Sequence, residues 1–144
     1  MSAVQPLCIL MGVKPHKISK ETYLCLEAEL FAKICEALTE YFRNQQKEYF
    51  NVMKFTTRME NAMLEENFIR LIIDDVLLTK EYTAKGIAQY ADTHEDVVCE
   101  VMLGINTNPS AKLLRRVIEL HRTVRKELYQ NIMKKIVLEY SNTL

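Results

Sequence analysis

The side chains with the clearest binding chemistry lie between residues 83 and 115, where hydroxyl, amide, cationic and carboxylate groups follow one another. Hydroxyl, amide and lysine side chains near a helix N-terminus can bind phosphate oxygens, because the free backbone N–H groups there favour anions. A carboxylate can accept a hydrogen bond from an exocyclic amine such as cytosine N4. The candidate binding residues are Thr83, Lys85, His94, Glu95, Cys99, Asn106, Ser110, Lys112 and Arg115.

Two short helices joined by a tight turn are predicted between Ala84 and Gly104, and these helices must position the candidate residues. Apolar residues recur on one face of each predicted helix at helical spacing. Asp92 tolerates the left-handed geometry of a turn, and Thr93 is predicted to cap the second helix. The small Ala88 would let the two helices cross closely at a steep angle against Val98.

The elements on either side of this hairpin extend the pattern. Gly104 and a polar loop ending in Pro109-Ser110 are followed by a helix with Leu113, Leu114, Val117, Ile118 and Leu120, and an apolar helix over Asn67–Leu78 comes before the hairpin. This order over residues 66–124 resembles the lambda-repressor-like (Cro/XRE-type) DNA-binding domains. The resemblance implies a homodimer on double-stranded DNA, with the second hairpin helix in the major groove. In that helix the base-reading positions map to His94, Glu95, Asp96, Cys99 and Glu100, with Leu103 at the end.

The 144 residues include only three Gly and three Pro, and no sustained alternation of β-branched residues is present. Such a composition predicts an all-α protein, a helical bundle in which long amphipathic helices precede the helix-turn-helix unit. The predicted parts are an N-terminal arm (residues 1–18), a packing or oligomerisation segment (19–65), the helix-turn-helix domain (66–124) and a basic C-terminal helix (125–144). The arm is predicted to dock or to form a short strand-like tail.

The segment over residues 19–65 is predicted to form two long helices or one bent helix. Ser19 can cap a helix that begins at Lys20, and apolar residues recur at helical spacing. That first periodic set is Tyr23, Leu24, Leu30, Phe31, Ile34, Leu38, Tyr41 and Phe42. The second set is Phe50, Met53, Thr57, Glu60 and Leu64, with Asn44-Gln45-Gln46 as a weak interruption between the two. So broad an apolar face must be covered by the C-terminal helices, by a second copy of the chain or by a different protein.

The charge distribution disfavours nucleic acid at the reading helix. The chain has no net formal charge, yet residues 58–100 hold four basic and ten acidic side chains, whereas residues 110–144 hold eight basic and three acidic ones. Each carboxylate about 5 Å from a phosphate costs roughly 1 kcal/mol even in water. The acids have a simpler interpretation, because Thr93 with Glu95 and Asp96 would form a capping box that complements the helix dipole.

No catalytic, metal or cofactor site is predicted. The three histidines are scattered and accompany no catalytic motif, and the pairs Glu65-Glu66 and Asp74-Asp75 split around their helices, so no enzymatic activity is expected.

The four cysteines lack metal or redox spacing; Cys25 and Cys35 are predicted to be small buried hydrophobes, and the cytoplasm is the expected compartment. The short apolar run before Val13 cannot span a bilayer, so no membrane association is expected. The methionines at 53, 59, 63 and 102 are interpreted as core residues.

Two functions therefore remain open. The family resemblance favours a DNA-binding transcriptional regulator acting as a homodimer. The acidic residues favour an adaptor that keeps the helix-turn-helix fold and binds a protein partner through its acidic face. Thr83 and Ser110 have an alternative role as simple N-caps. The arginines at 115, 116, 122 and 125 form either a phosphate-binding stripe or a solvated helix face.

Overall fold

The computed structural model describes residues 19–143, and in that part of the chain all of the regular secondary structure is helical. The predicted all-α class is therefore confirmed, whereas the predicted N-terminal arm lies outside the described residues. The eight helices of residues 19–143 are α1 (Lys20–Gln45), α2 (Lys47–Val52), α3 (Thr57–Glu66), α4 (Phe68–Leu78), α5 (Ala84–Tyr90), α6 (Glu95–Met102), α7 (Ala111–Val124) and α8 (Lys126–Thr143).

The first of two compact units combines the described residues up to 40 with those from 127 onward. Its helices, α8 and the first part of α1, run antiparallel, because Lys33 lies 3.9 Å from Glu139 while Glu40 shares a groove with Ile132. The buried apolar side chains that form the core of this unit are Leu30, Ile34, Leu38, Tyr129, Ile132, Met133 and Ile136. Burial also raises the pKa of the Cys35 thiol to about 11, so this cysteine stays protonated near neutral pH.

The second unit covers residues 41–126 and contains the predicted helix-turn-helix region. Helix α4 packs against α6 and α7, and α5 packs against the same two helices. The apolar side chains at this centre are Ile72, Ile73, Val76, Ile87, Ala88, Val98, Val101, Leu113, Val117 and Leu120. The domain boundaries predicted from the sequence stay predictions.

Several helix limits agree with the sequence. Helix α1 begins at Lys20, and the Thr22 N–H donates to the Ser19 hydroxyl at 3.2 Å, as expected for an N-cap. Helix α4 covers the predicted apolar segment from Phe68, and α8 begins at Lys126. Apolar periodicity located these helices because one face of each is buried.

The segment before α4 is broken more often than predicted. Helix α2 has only six residues, and α3 begins at Thr57 after a turn. Lys54 adopts a left-handed conformation with φ of 55°, and the Phe55 N–H donates to the Phe50 carbonyl at 3.0 Å. These features end α2 in a Schellman motif, which a sequence without glycine concealed. The first long helix ends at the predicted interruption, Asn44-Gln45-Gln46, but the prediction of a second long helix, or of one bent helix, was wrong.

Several predicted core residues lie at the surface. Met53, Met59 and Leu24 are exposed, and so is the Cys25 thiol. Met53 directly precedes the left-handed Lys54, and Met59 lies in the first turn of α3, where the helical phase of α2 no longer applies. The prediction that these four side chains are buried was wrong.

The left-handed Lys80, with φ of 62°, gives a test of the backbone account. Its N–H donates to the Leu77 carbonyl at 3.1 Å where α4 ends, and a side chain there is strained while glycine is not. We expect Lys80→Gly to raise the free energy of unfolding by about 0.5–1 kcal/mol in urea denaturation. Lys80→Ala keeps the Cβ atom and should give no comparable gain; equal effects of the two substitutions would contradict the account.

Candidate nucleic-acid interface

Helices α5 and α6 contact each other and are joined by a four-residue turn, as predicted. Asp92 is left-handed with φ of 55°, and the Thr93 N–H donates to the Ala88 carbonyl at 3.0 Å. Ala88 and Val98 are both buried. The region is therefore two packed helices and not one continuous helix, with small and branched apolar side chains directed inward.

The N-cap of α6 is His94, not Thr93. His94 has extended backbone geometry and its Nδ1 accepts the Asp96 N–H at 3.3 Å, whereas Thr93 completes the preceding turn. The predicted capping box of Thr93 was therefore wrong. Glu95 and Asp96 still occupy the first turn of α6, where negative charge favours the positive end of the helix dipole.

Helix α6 ends in a Schellman motif at Gly104, whose φ is 75°. The Gly104 N–H donates to the Val101 carbonyl at 3.1 Å, and the Ile105 N–H donates to the Glu100 carbonyl at 2.9 Å. This turn brings Ile105 back beside the last turn of α6. Leu103 and Ile105 are each 71% exposed, so the end of the helix presents apolar surface to solvent.

The nine predicted binding residues all lie outside the buried core of this unit. Seven are exposed, and Cys99 and Asn106 are half-buried. The Thr83 hydroxyl accepts the Gly86 N–H and the Ser110 hydroxyl accepts the Leu113 N–H, each at 3.1 Å. These two residues are N-caps, as the alternative interpretation predicted. The Asn106 side-chain oxygen accepts the Asn108 N–H at 3.1 Å and shapes the loop before α7.

The first turn of α7 lies beside the hairpin turn. The Lys112 ammonium is 4.0 Å from the Asp92 carboxylate, with both side chains exposed. The pair brings one predicted phosphate ligand to the edge of the α5–α6 hairpin. Exposed pairs of this kind stabilise a protein little, so Lys112 can exchange Asp92 for another anion at low cost.

The outward face of α6 is acidic. Glu95, Asp96 and Glu100 are exposed, and α6 contains no lysine or arginine. His94 is also exposed at the N-cap, with Nδ1 3.5 Å from the Asp96 carboxylate. The structure therefore keeps the unfavourable charge that the sequence predicted for a nucleic-acid interface at this helix.

A buried charge cluster, which the sequence analysis missed, joins α4 to α7 in the interior of this unit. Asp75 of α4 is 2% exposed and His121 of α7 is fully buried. Their side chains are joined by a hydrogen bond of 2.6 Å between His121 Nε2 and Asp75 Oδ2. A buried carboxylate is costly unless it is paired, so this contact constrains how α4 and α7 pack.

Arg125 completes the cluster from the C-cap of α7. Its Nε donates to Asp75 Oδ2 at 3.1 Å and its Nη2 donates to Asp75 Oδ1 at 3.2 Å, a bidentate arrangement. Its backbone N–H donates to the His121 carbonyl at 2.8 Å. The Arg125 side chain is therefore held by a carboxylate, and both sequence interpretations, a phosphate-binding stripe and a solvated helix face, were wrong for this residue.

The cluster sets the ionisation of its members. Burial alone would raise the pKa of the Asp75 carboxyl, but hydrogen bonds from His121 and Arg125 and their charges lower it below the usual 3.8. The hydrogen bond to Asp75 raises the pKa of the Arg125 guanidinium. Asp75 is therefore a carboxylate at neutral pH.

An aspartate paired with a histidine is also found in acid–base catalysis, but here the burial of both side chains leaves no access for a substrate. The described residues contain no group of three or more His, Cys, Asp or Glu side chains placed to hold a metal ion. The arrangement therefore joins helices. The sequence did contain a signal for it, because His121 follows Leu113 and Val117 at intervals of four residues on one helix face.

Comparison of the chain with known protein families, with curated proteins and with solved structures gave no match. Over the described residues, none of the helices has both the length and the apolar character needed to cross a membrane.

Removing the Asp75 charge tests the buried cluster. We expect Asp75→Asn to lower the free energy of unfolding at neutral pH by about 3 kcal/mol, because it leaves Arg125 and His121 without their carboxylate. Urea denaturation measures the change. The neighbouring Asp74 is exposed, so Asp74→Asn is the matched control and should change stability by less than about 0.5 kcal/mol.

The stability lost in Asp75→Asn should also depend on pH. The folded Asp75 has a pKa below that of the unfolded chain, so its stabilising contribution is complete well above pH 3.8 and is lost as the pH falls through the folded pKa. The stability difference between wild type and Asp75→Asn should therefore shrink on acidification from pH 6 towards pH 2. A difference that is constant over this range would rule out the ionised pair.

Proposed function

We propose that the chain is a DNA-binding transcriptional regulator of helix-turn-helix type that acts as a homodimer. The observation that carries the proposal is the α5–turn–α6 hairpin, in which Val98 and Val101 face the core while the opposite face of α6 is uncovered. An uncovered second helix of a hairpin can enter a major groove. The order of elements from α4 to α7, with its resemblance to lambda-repressor-like domains, supports the same function.

The residues around the hairpin supply the cations that α6 lacks. Lys85 in the first turn of α5, and Lys112 and Arg115 on α7, would contact phosphates at the edges of the groove. Lys112 already lies 4.0 Å from the Asp92 carboxylate, so a phosphate would replace one anion with another. Glu95 is positioned in the first turn of α6 and would accept from cytosine N4, because a carboxylate cannot pair with the acceptor atoms of guanine.

A second candidate function is a protein-binding adaptor, and one observation favours it. Leu103 and Ile105 are 71% exposed beside the carboxylates of α6, whereas a DNA-reading surface is rich in cations and amides. An acidic face with apolar residues fits a basic, apolar protein surface. The two functions differ in whether duplex DNA or protein occupies the α6 face.

A salt series with duplex DNA tests the first function. Binding to a mixed-sequence duplex library at about 50 mM salt should weaken steeply as the salt rises, because each phosphate contact releases counterions. Lys112→Ala with Arg115→Ala should weaken binding to all sequences alike. The slope of the logarithm of the binding constant against the logarithm of the salt concentration should become shallower by the amount that up to about two phosphate contacts contribute. Lys134→Ala with Lys135→Ala removes the same charge from α8 and is the control. Absence of any complex at low salt would reject DNA binding.

Sequence selection from the same library tests the role of Glu95. Glu95→Gln replaces an acceptor-only group with an amide that also donates, so the preferred base at one position should change. Lys85→Ala, which removes a phosphate contact, should lower affinity without changing the preferred sequence. An unchanged sequence preference in Glu95→Gln would show that α6 does not read bases.

A further inference from the structure

Two exposed apolar surfaces of the second unit differ in charge. The first, the acidic patch, is formed by Asp96, Glu100, Leu103 and Ile105. The first three recur at positions i, i+4 and i+7 of one helix face, and Ile105 returns to Glu100 through the turn at Gly104. Within residues 92–105 there are four carboxylates and no lysine or arginine. The Arg70 guanidinium lies beside Gly104 and the Lys112 ammonium lies 4.0 Å from the Asp92 carboxylate, so the negative charge of the patch comes from Asp96 and Glu100.

The second surface, the basic patch, consists of the exposed residues Tyr49, Val52, Met53, Lys54 and Arg58, which lie on both sides of the turn between α2 and α3. Val52 is 72% exposed, and Tyr49 and Met53 are also exposed. The aromatic rings of Tyr49 and Phe55 lie 5.7 Å apart, which ties the end of α2 to the following turn. Residues 47–59 carry three basic side chains and one carboxylate, Glu48.

Exposed apolar side chains that are grouped and flanked by charge are typical of protein interaction sites. The two patches complement each other, since one offers carboxylates beside Leu103 and Ile105 and the other offers cations beside Val52 and Met53. Opposite charges at the rim give specificity and suppress pairing of like patches. Neither patch is self-complementary, because two acidic patches or two basic patches would repel.

We propose that a second copy of the chain covers the acidic patch with its basic patch. The contact buries Leu103 and Ile105 against Val52 and Met53, and it sets Lys54 and Arg58 opposite Asp96 and Glu100. Because the two surfaces differ, the contact closes as a two-fold dimer when both pairs form at once, and otherwise it extends head to tail. It covers α6, so a chain in this contact cannot bind DNA through that face, and the homodimer of the proposed function must form through a different contact. Its test contains no DNA, so either proposal can fail without the other.

Sedimentation velocity over a concentration series tests the contact. The wild-type chain should self-associate at low salt, and the association should weaken by at least tenfold in about 1 M salt, where charges are screened beyond roughly 3 Å. Reversal of the basic patch, in Lys54→Glu with Arg58→Glu, should abolish association. Reversal of the acidic patch, in Glu100→Lys with Leu103→Lys, should do the same. Circular dichroism checks that both variants are folded.

Mixing the two reversed variants gives the decisive result. Each variant keeps one native patch, so the mixture should associate in a 1:1 ratio although neither variant associates alone. Val52→Ser should weaken wild-type association, whereas Leu138→Ser, at a residue of α8 that is 64% exposed, should not. A chain that is monomeric at low salt, association that survives both charge reversals, or a mixture that stays monomeric would each overturn the proposal.

Discussion

The hydrogen bond between His121 and Asp75 is the interaction on which the second unit depends. It joins α4 to α7 in the interior, and the bidentate contact from Arg125 fixes the end of α7 to the same carboxylate. Helix α5 packs against α7 and helix α6 packs against α4, so the hairpin rests on the two helices that this junction joins. A buried ionic cluster of this kind adds less net stability than apolar packing would, but it penalises every alternative packing that leaves one member unpaired.

The interior and the surface of the second unit have different roles. Apolar side chains pack the hairpin against α4 and α7, which the buried cluster joins, while the side chains on the outer face of α6 make no contribution to the core. The acids in the first turn of α6 suit the helix dipole whatever the helix binds. The N-caps Thr83 and Ser110 likewise satisfy backbone groups of α5 and α7, so their presence alone is not evidence for a phosphate ligand. Among the candidate residues, the proposed functions therefore rest on Lys85, Lys112, Arg115 and the carboxylates of α6.

Much of the fold could be predicted from apolar periodicity and caps. The helices from α4 to α8 were located because each buries one face and begins at a polar residue or follows a turn. The breaks around α2 were missed, because Lys54 adopts a left-handed conformation that sequence usually signals with glycine. The N-cap of α6 was also missed: the Thr93 N–H donates to the Ala88 carbonyl and completes the turn, so the next residue, His94, caps the helix.

The exposure of the candidate residues could be predicted from the sequence, but the buried cluster of the same unit could not. All nine proposed residues lie outside the core, because polar side chains between apolar stripes face solvent. The contacts among Asp75, His121 and Arg125 span 46 and 50 residues of sequence, a separation that periodicity cannot resolve. Arg125 was consequently grouped with solvated arginines, although its guanidinium is engaged by a buried carboxylate.

Native-state hydrogen exchange in His121→Gln tests most directly whether the buried junction positions the hairpin. If it does, the amides of α5 and α6 lose protection together with those of α4 and α7, because all four helices open with the junction. Loss of protection confined to the residues next to Asp75 and His121, with α5 and α6 unchanged, would contradict the account.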